Sequence, residues 1–148
     1  MQSRRCTLVS YEKGEEKPAD PDSLNISFAS TANRTEFSTE IQVWVQNGIT
    51  VTNNKAGATS NVADYSKPGR FYKGSEVIIE CAGMTKIEIN CFGLDSKYVN
   101  PWLNVTNGTA TLENGIVTIV FETPVDSIVY SSLSAQARAY DITVYTQG

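Results

Sequence analysis

The sequence predicts an all-β protein: an antiparallel β-sandwich, jelly-roll-like, of about nine strands with no long helix. Short apolar runs rich in Val, Ile, Thr and aromatics recur roughly every 8–12 residues, the spacing of a strand-and-turn fold. Two Asn-Gly pairs, Asn47-Gly48 and Asn114-Gly115, lie between such runs and mark hairpins, because both residues tolerate the positive φ of a tight turn. No segment sustains the 3.6-residue apolar period of an amphipathic helix.

A chain of 148 residues suits one domain, with a core large enough to need no metal or disulfide. Residues 1–23 read as a polar arm, since Glu12 to Asp22 is charged and broken by Pro18 and Pro21; Thr7–Tyr11 is one short strand candidate within it. Residues 24–148 read as the single β domain. Leu24–Ala29 alternates and forms a half-buried strand, and Thr31–Thr39 is a polar connection anchored by Phe37. At Asn47-Gly48 a three-residue loop with a bulge is favoured, which buries Ile41, Val43 and Val45 and turns Trp44 to the other face; a strict two-residue turn would set Trp44 opposite Val51. Asn53–Lys67 is a long loop closed by Pro68-Gly69. Arg70–Cys81 and Met84–Cys91 read as strand, turn, strand, loop, strand, the scaffold against which the other runs pair. Gly93–Asn104 is a second long loop. Val105–Leu112 and Ile116–Phe121 form a two-residue hairpin with Leu112 facing Val117 and Ala110 facing Ile119; Pro124 ends that strand. Asp126–Tyr130 and Ala137–Tyr145 complete the domain.

The side chains narrow the chemistry. There is no histidine, so Ser-His-Asp and Cys-His sites are excluded and zinc would need cysteines alone. The cysteines are Cys6, Cys81 and Cys91. If 76–81 and 84–91 form a hairpin, Cys91 lies near Val77 and about 13 Å from Cys81, beyond the roughly 7 Å a disulfide spans; two buried free thiols are the expectation. Net charge is −4 with scattered basic residues, which argues against a nucleic-acid partner. No apolar run reaches the ~18 residues of a membrane span. The carboxylates Glu76, Glu80, Glu88 and Glu122 alternate outward and none is isolated as a glycosidase acid, so no enzyme is expected. No cofactor is expected. A structural calcium remains an unlocated alternative, since Asp20, Asp22, Asp64 and Asp95 are isolated and no D-x-D-x-D-G loop occurs.

Ala63–Ser75 (ADYSKPGRFYKGS), Met84–Ile89 (MTKIEI) and Ala135–Tyr145 (AQARAYDITVY) resemble segments of jelly-roll modules that recur in surface and secreted proteins of gut bacteria. The likeness spans about Leu24–Tyr145. It implies a carbohydrate-binding or galactose-binding-like β-sandwich, displayed extracellularly or on the cell surface, with a polysaccharide or glycoconjugate as partner. Sugar binding takes an aromatic face with amides beside it, and a rigid sandwich carries its function on loops. The candidates are therefore Trp102, Tyr98 and Tyr65, with Asn100 and Asn104 as polar neighbours; on that reading Trp102→Ala would remove binding and spare stability. Trp44, Tyr72, Arg70 and Arg138 are expected to be structural, an arginine stacked on a tyrosine being the simplest role for the last two. The alternative function is a decoration or attachment protein of a virus particle, docked on a capsid or other assembly through residues 1–23. That alternative follows from Met1 with no signal peptide and from free cysteines.

Overall fold

The computed structural model describes residues 23–29, 31–62 and 69–147. Tyr65, Cys6, the Thr7–Tyr11 strand and the docking arm apart from Ser23 lie outside them. The described chain is all-β and antiparallel. Ten strands occur in the order β1 (Ser23–Ser27), β2 (Arg34–Phe37), β3 (Ile41–Gln46), β4 (Ile49–Asn54), β5 (Gly69–Phe71), β6 (Glu76–Asn90), β7 (Thr109–Glu113), β8 (Ile116–Tyr130), β9 (Ala137–Ala139) and β10 (Asp141–Thr146). A four-residue helix, α1 (Ser96–Val99), runs into a 3-10 turn at Asn100–Leu103.

Eight strands share one sheet, and β5 pairs with β9 as a separate ribbon. The central strand is β6. Along one side it pairs with β8. On the other, Glu76–Glu80 pairs with β4 and Met84–Asn90 with β10. Two irregularities lie at that division. From Glu80↔Ser127 to Met84↔Val125, β6 advances four residues while β8 advances two; from there to Lys86↔Val120, β6 advances two and β8 five. Extra residues on one strand bend and twist it, and strands bent in this way make the corners between packed sheet halves. The sheet therefore curls, bringing edge strand β1 against β3 and β4. Side-chain amides close that seam: Gln46 Oε1 accepts from the Ser27 amide at 2.9 Å and from Asn33 Nδ2 at 2.9 Å, and Asn47 Nδ2 donates to the Asn25 carbonyl at 2.9 Å. They satisfy part of an edge that would otherwise be left open.

The bulges correct two boundaries. The segments 76–81 and 84–91 are one strand rather than a hairpin, and β8 passes through Pro124 instead of ending there. Pro124 is tolerated because it sits in the unpaired part of the bulge, where no ladder N–H is needed. On a single strand Cys81 and Cys91 are ten residues apart, on the order of 30 Å, so both are buried free thiols for a reason other than hairpin register. The closing run divides at Tyr140 into β9 and β10.

At Asn47-Gly48 the turn is the strict two-residue type. Both residues have positive φ, 54° and 81°, and Gln46 pairs Ile49. Trp44 therefore lies opposite Val51 and is buried, while Val45 is exposed. The face expected in the core is the outer face. Gln42 and Asn53 explain the inversion, since both are buried beside Trp44 and Val51 and make the true core face look polar. They belong to a relay in which Arg34 Nη1 donates to Gln42 Oε1 (2.9 Å), Gln42 Nε2 to Asn53 Oδ1 (3.0 Å), Asn53 Nδ2 to Ser75 Oγ (3.0 Å), and Ser75 Oγ to the Tyr72 carbonyl (2.6 Å). Phe37, expected as an anchor, is exposed on β2, with the Arg34 guanidinium 4.6 Å from its ring centre. At the second Asn-Gly turn the expected register holds, Leu112↔Val117 and Ala110↔Ile119.

The core holds an edge-to-face run of rings, Trp44–Phe28 (5.0 Å), Phe28–Phe71 (5.6 Å), Phe71–Trp102 (5.6 Å) and Trp102–Tyr130 (5.2 Å), which joins both sheet halves to the ribbon and to the 3-10 turn.

Gln42→Leu keeps the volume but strands the buried Asn53 oxygen. The unfolding free energy should fall by about 1–3 kcal/mol in urea titration; an unchanged or raised value would show that the relay does not constrain the fold.

Candidate functional site

Among the described residues, 101–109, the bulge of β8 and Ser131–Ser134 line two adjoining depressions, and a third of about 390 Å³ lies between residues 91–99 and 112–115. Asp95 caps α1, its Oδ1 accepting from the Lys97 amide at 3.2 Å, and Pro101 enters the following turn where its missing N–H costs nothing. This brings Trp102 down into the core. It is 0% exposed, with Nε1 donating to the Arg138 carbonyl at 3.0 Å and its own carbonyl accepting from Tyr130 Oη at 2.9 Å. Trp102 presents no ring face to a ligand, so the stacking role expected of it is corrected to a packing role.

Asn104 emerges past the buried ring onto a groove. One part, about 130 Å³, lies between Asn104, Thr106 and Ser131–Ser134; the next, about 370 Å³, lies between Thr106–Thr109 and Glu122–Val125 of the bulge, and the two share Thr106. Hydroxyls and side-chain amides dominate, from Asn104, Thr106, Asn107, Thr123, Ser131, Ser132 and Ser134, and Glu122 is the one carboxylate. Gly108 permits the close approach, since a Cβ there would stand 2.8 Å from the Val120 carbonyl oxygen and 3.1 Å from Phe121 Cδ1. Leu133, buried and bonded through its backbone to Gly74 and Ser75, fixes the serine loop.

Tyr98 and Asn100 go elsewhere. Tyr98 is half-buried, with the Arg138 guanidinium 3.7 Å from its ring centre; Arg138 stacks on a tyrosine, but on one of α1 rather than one within the strand ladder. Asn100 is exposed on the 3-10 turn. Of the described candidates, only Asn104 lines the groove, with Pro101 beside it. Thr106, Asn107, Glu122, Thr123 and the three serines were missed. The Ser131-Ser-Leu-Ser134 run, with one apolar anchor among hydroxyls, was the available signal.

Among the described residues no three His, Cys, Asp or Glu side chains come together to hold a metal, and no helix is long and apolar enough to cross a membrane. The thiols are poor nucleophiles in place. Burial, and then the Asp141 charge, push Cys91 up to about 12; burial raises Cys81 as well. Tyr130 is raised by burial first and by Cys91 second.

The fold and this surface define a curled antiparallel β module with a hydroxyl-lined groove. No family model, curated protein or solved structure matches the chain.

Trp102→Ala should destabilise the protein by about 3–5 kcal/mol, the usual cost of emptying a large aromatic site. A loss below about 1 kcal/mol in chemical denaturation would contradict its packing role.

A folded-state Cys91 held near 12 keeps its proton while the unfolded chain releases it from about pH 9 upward. The contribution is complete below that pH and is lost progressively towards pH 12. Urea midpoints should drop as the pH rises from about 9 to about 10.5, and drop less in Cys91→Ala; identical slopes would exclude this thiol as a cause.

Proposed function

We propose that this chain is a non-catalytic glycan-binding module of an extracellular or cell-surface protein, and that the groove at Asn104 and Ser131–Ser134 is where the polysaccharide or glycoconjugate lies. The observation that carries this is the lining itself. Hydroxyl and amide groups on a rigid frame can exchange donor and acceptor roles with sugar hydroxyls, and the bulge and the serine loop set them around two depressions that share Thr106. Glu122 alone among the lining residues is acidic, which favours binding over hydrolysis, because glycoside hydrolysis needs two carboxyls about 5–9.5 Å apart. Val129 and the apolar edge of Val125 supply the surface against which the C–H side of a pyranose can pack.

The test is a polysaccharide panel read by affinity electrophoresis and calorimetry with the wild-type chain and an Asn104→Ala/Ser132→Ala double variant. Two neutral hydrogen bonds lost should weaken binding about tenfold, with stability within about 0.5 kcal/mol because both residues are exposed. No bound glycan across the panel, or a double variant that binds like wild type, would sink this assignment.

A further inference from the structure

On the far side of Trp102 the ribbon of β5 and β9 places two arginines directly opposite each other. Arg70 and Arg138 are Cα partners in antiparallel register, so both side chains leave the same face of the ribbon, with Cβ atoms about 4.5–5.5 Å apart. Their neighbours Gly69, Phe71, Ala137 and Ala139 are buried, which directs both arginines to the outer side. Like charges directly opposite destabilise a strand pair. Among the described residues no ion pair joins either guanidinium to a carboxylate.

The two are held differently. Arg138 lies on the Tyr98 ring and donates Nε to Gln136 Oε1 at 2.6 Å, which fixes its orientation. Arg70 has no such support. Its Nε is buried with no hydrogen-bond partner, which a guanidinium in water-excluded surroundings does not tolerate cheaply. Lys97, with Nζ 5.1 Å from the same Tyr98 ring centre, adds a third positive charge on a chain whose net charge is −4. Stacking on Tyr98 accounts for Arg138 but leaves Arg70 unexplained. An oxyanion between the guanidinium groups would remove the repulsion, and a planar carboxylate matches the guanidinium fork in geometry.

We propose that Arg70 and Arg138 form a carboxylate-binding site that takes the uronate unit of an acidic glycan. The glycan part of this inference rests on the function proposed above; the anion site itself does not. Trp102 joins the two surfaces, through Nε1 to the Arg138 backbone and through its carbonyl to Tyr130 beside the groove.

The test uses the full chain labelled with ¹⁵N, following the Arg70 and Arg138 Nε–Hε resonances during titration with glucuronate, glucose and inorganic sulfate at constant ionic strength. Glucuronate should shift both resonances and glucose neither. Arg70→Gln should lose glucuronate affinity about tenfold or more, while Arg70→Lys keeps part of it. The Gln variant should melt at the wild-type temperature or above, because it removes a like charge, so a loss of binding would not be a loss of fold. No shift with glucuronate, shifts with sulfate alone, or equal shifts with glucose would overturn the site. An acidic polysaccharide that binds wild type and Arg70→Gln equally would overturn it too and leave the groove assignment standing. Glucuronate bound at the arginines with no polysaccharide bound by the chain would keep the anion site and end the glycan assignment.

Discussion

The offset bulges in the middle of β6 and β8 are the constraint on which the rest of the molecule depends. A straight fifteen-residue pair would run about 50 Å and leave its inner face uncovered. The inserted residues, Cys81–Gly83 on one strand and Phe121–Pro124 on the other, let the pair turn and serve both halves of the sheet. They also keep the burial pattern in phase. Val77, Ile79 and Cys81 face inward before the bend, Met84 within it, and Ile87, Ile89 and Cys91 after it. With only one shift between the ends, one half of β6 would present its polar face to the core. The run of rings from Trp44 to Tyr130 then fills the space the bend encloses, and its edge-to-face contacts fix how far the halves approach.

What could be read from the sequence is what local chemistry decides. The all-β class, the second Asn-Gly hairpin and its register follow from alternation and turn residues, each acting within a few positions. Where the reading failed, a distant partner had changed the meaning of a local signal. Ala82-Gly83 and Pro124 look like breaks because turns and bulges use the same residues, and only the opposing strand shows which one is present. Gln42 and Asn53 look exposed because an amide is normally solvated; here each finds its partner across the sheet, and the polar relay takes the place of water. The amphipathic pattern of β3 was therefore read with its faces exchanged. The polar stretch containing β2 is a strand because Arg34 lies over Trp44 and bonds Gln42, not because its own residues favour extension.

The site was legible to a similar depth. Of that loop, Pro101 and Asn104 line the groove, while Trp102 is buried in the core. Whether such a ring faces water or core depends on the next layer, and here Phe71, Tyr130 and the Arg138 carbonyl receive it. Beyond the Ser131–Ser134 run the groove has no signature of its own. Its walls come from the loop after the 3-10 turn, the bulge of β8 and the serine loop before β9, segments that meet only because the sheet curls.

Trp102 thus ties two surfaces together from within the core. Its two polar atoms are tied to opposite sides, the indole nitrogen to the strand that carries Arg138 and the carbonyl to the tyrosine at the groove. A shift of this ring would move both surfaces together, because a close-packed core transmits displacement instead of absorbing it. The Arg70–Arg138 pair lies on the outer face of a ribbon only three residues long on each strand, where backbone pairing contributes little against repulsion. That ribbon keeps its place because its inner face, Phe71 with Ala137 and Ala139, belongs to the same core that holds Trp102. The packing below the arginines is what allows two like charges to remain side by side above it, and an unfavourable pair held by a rigid floor is already arranged for an anion before one arrives.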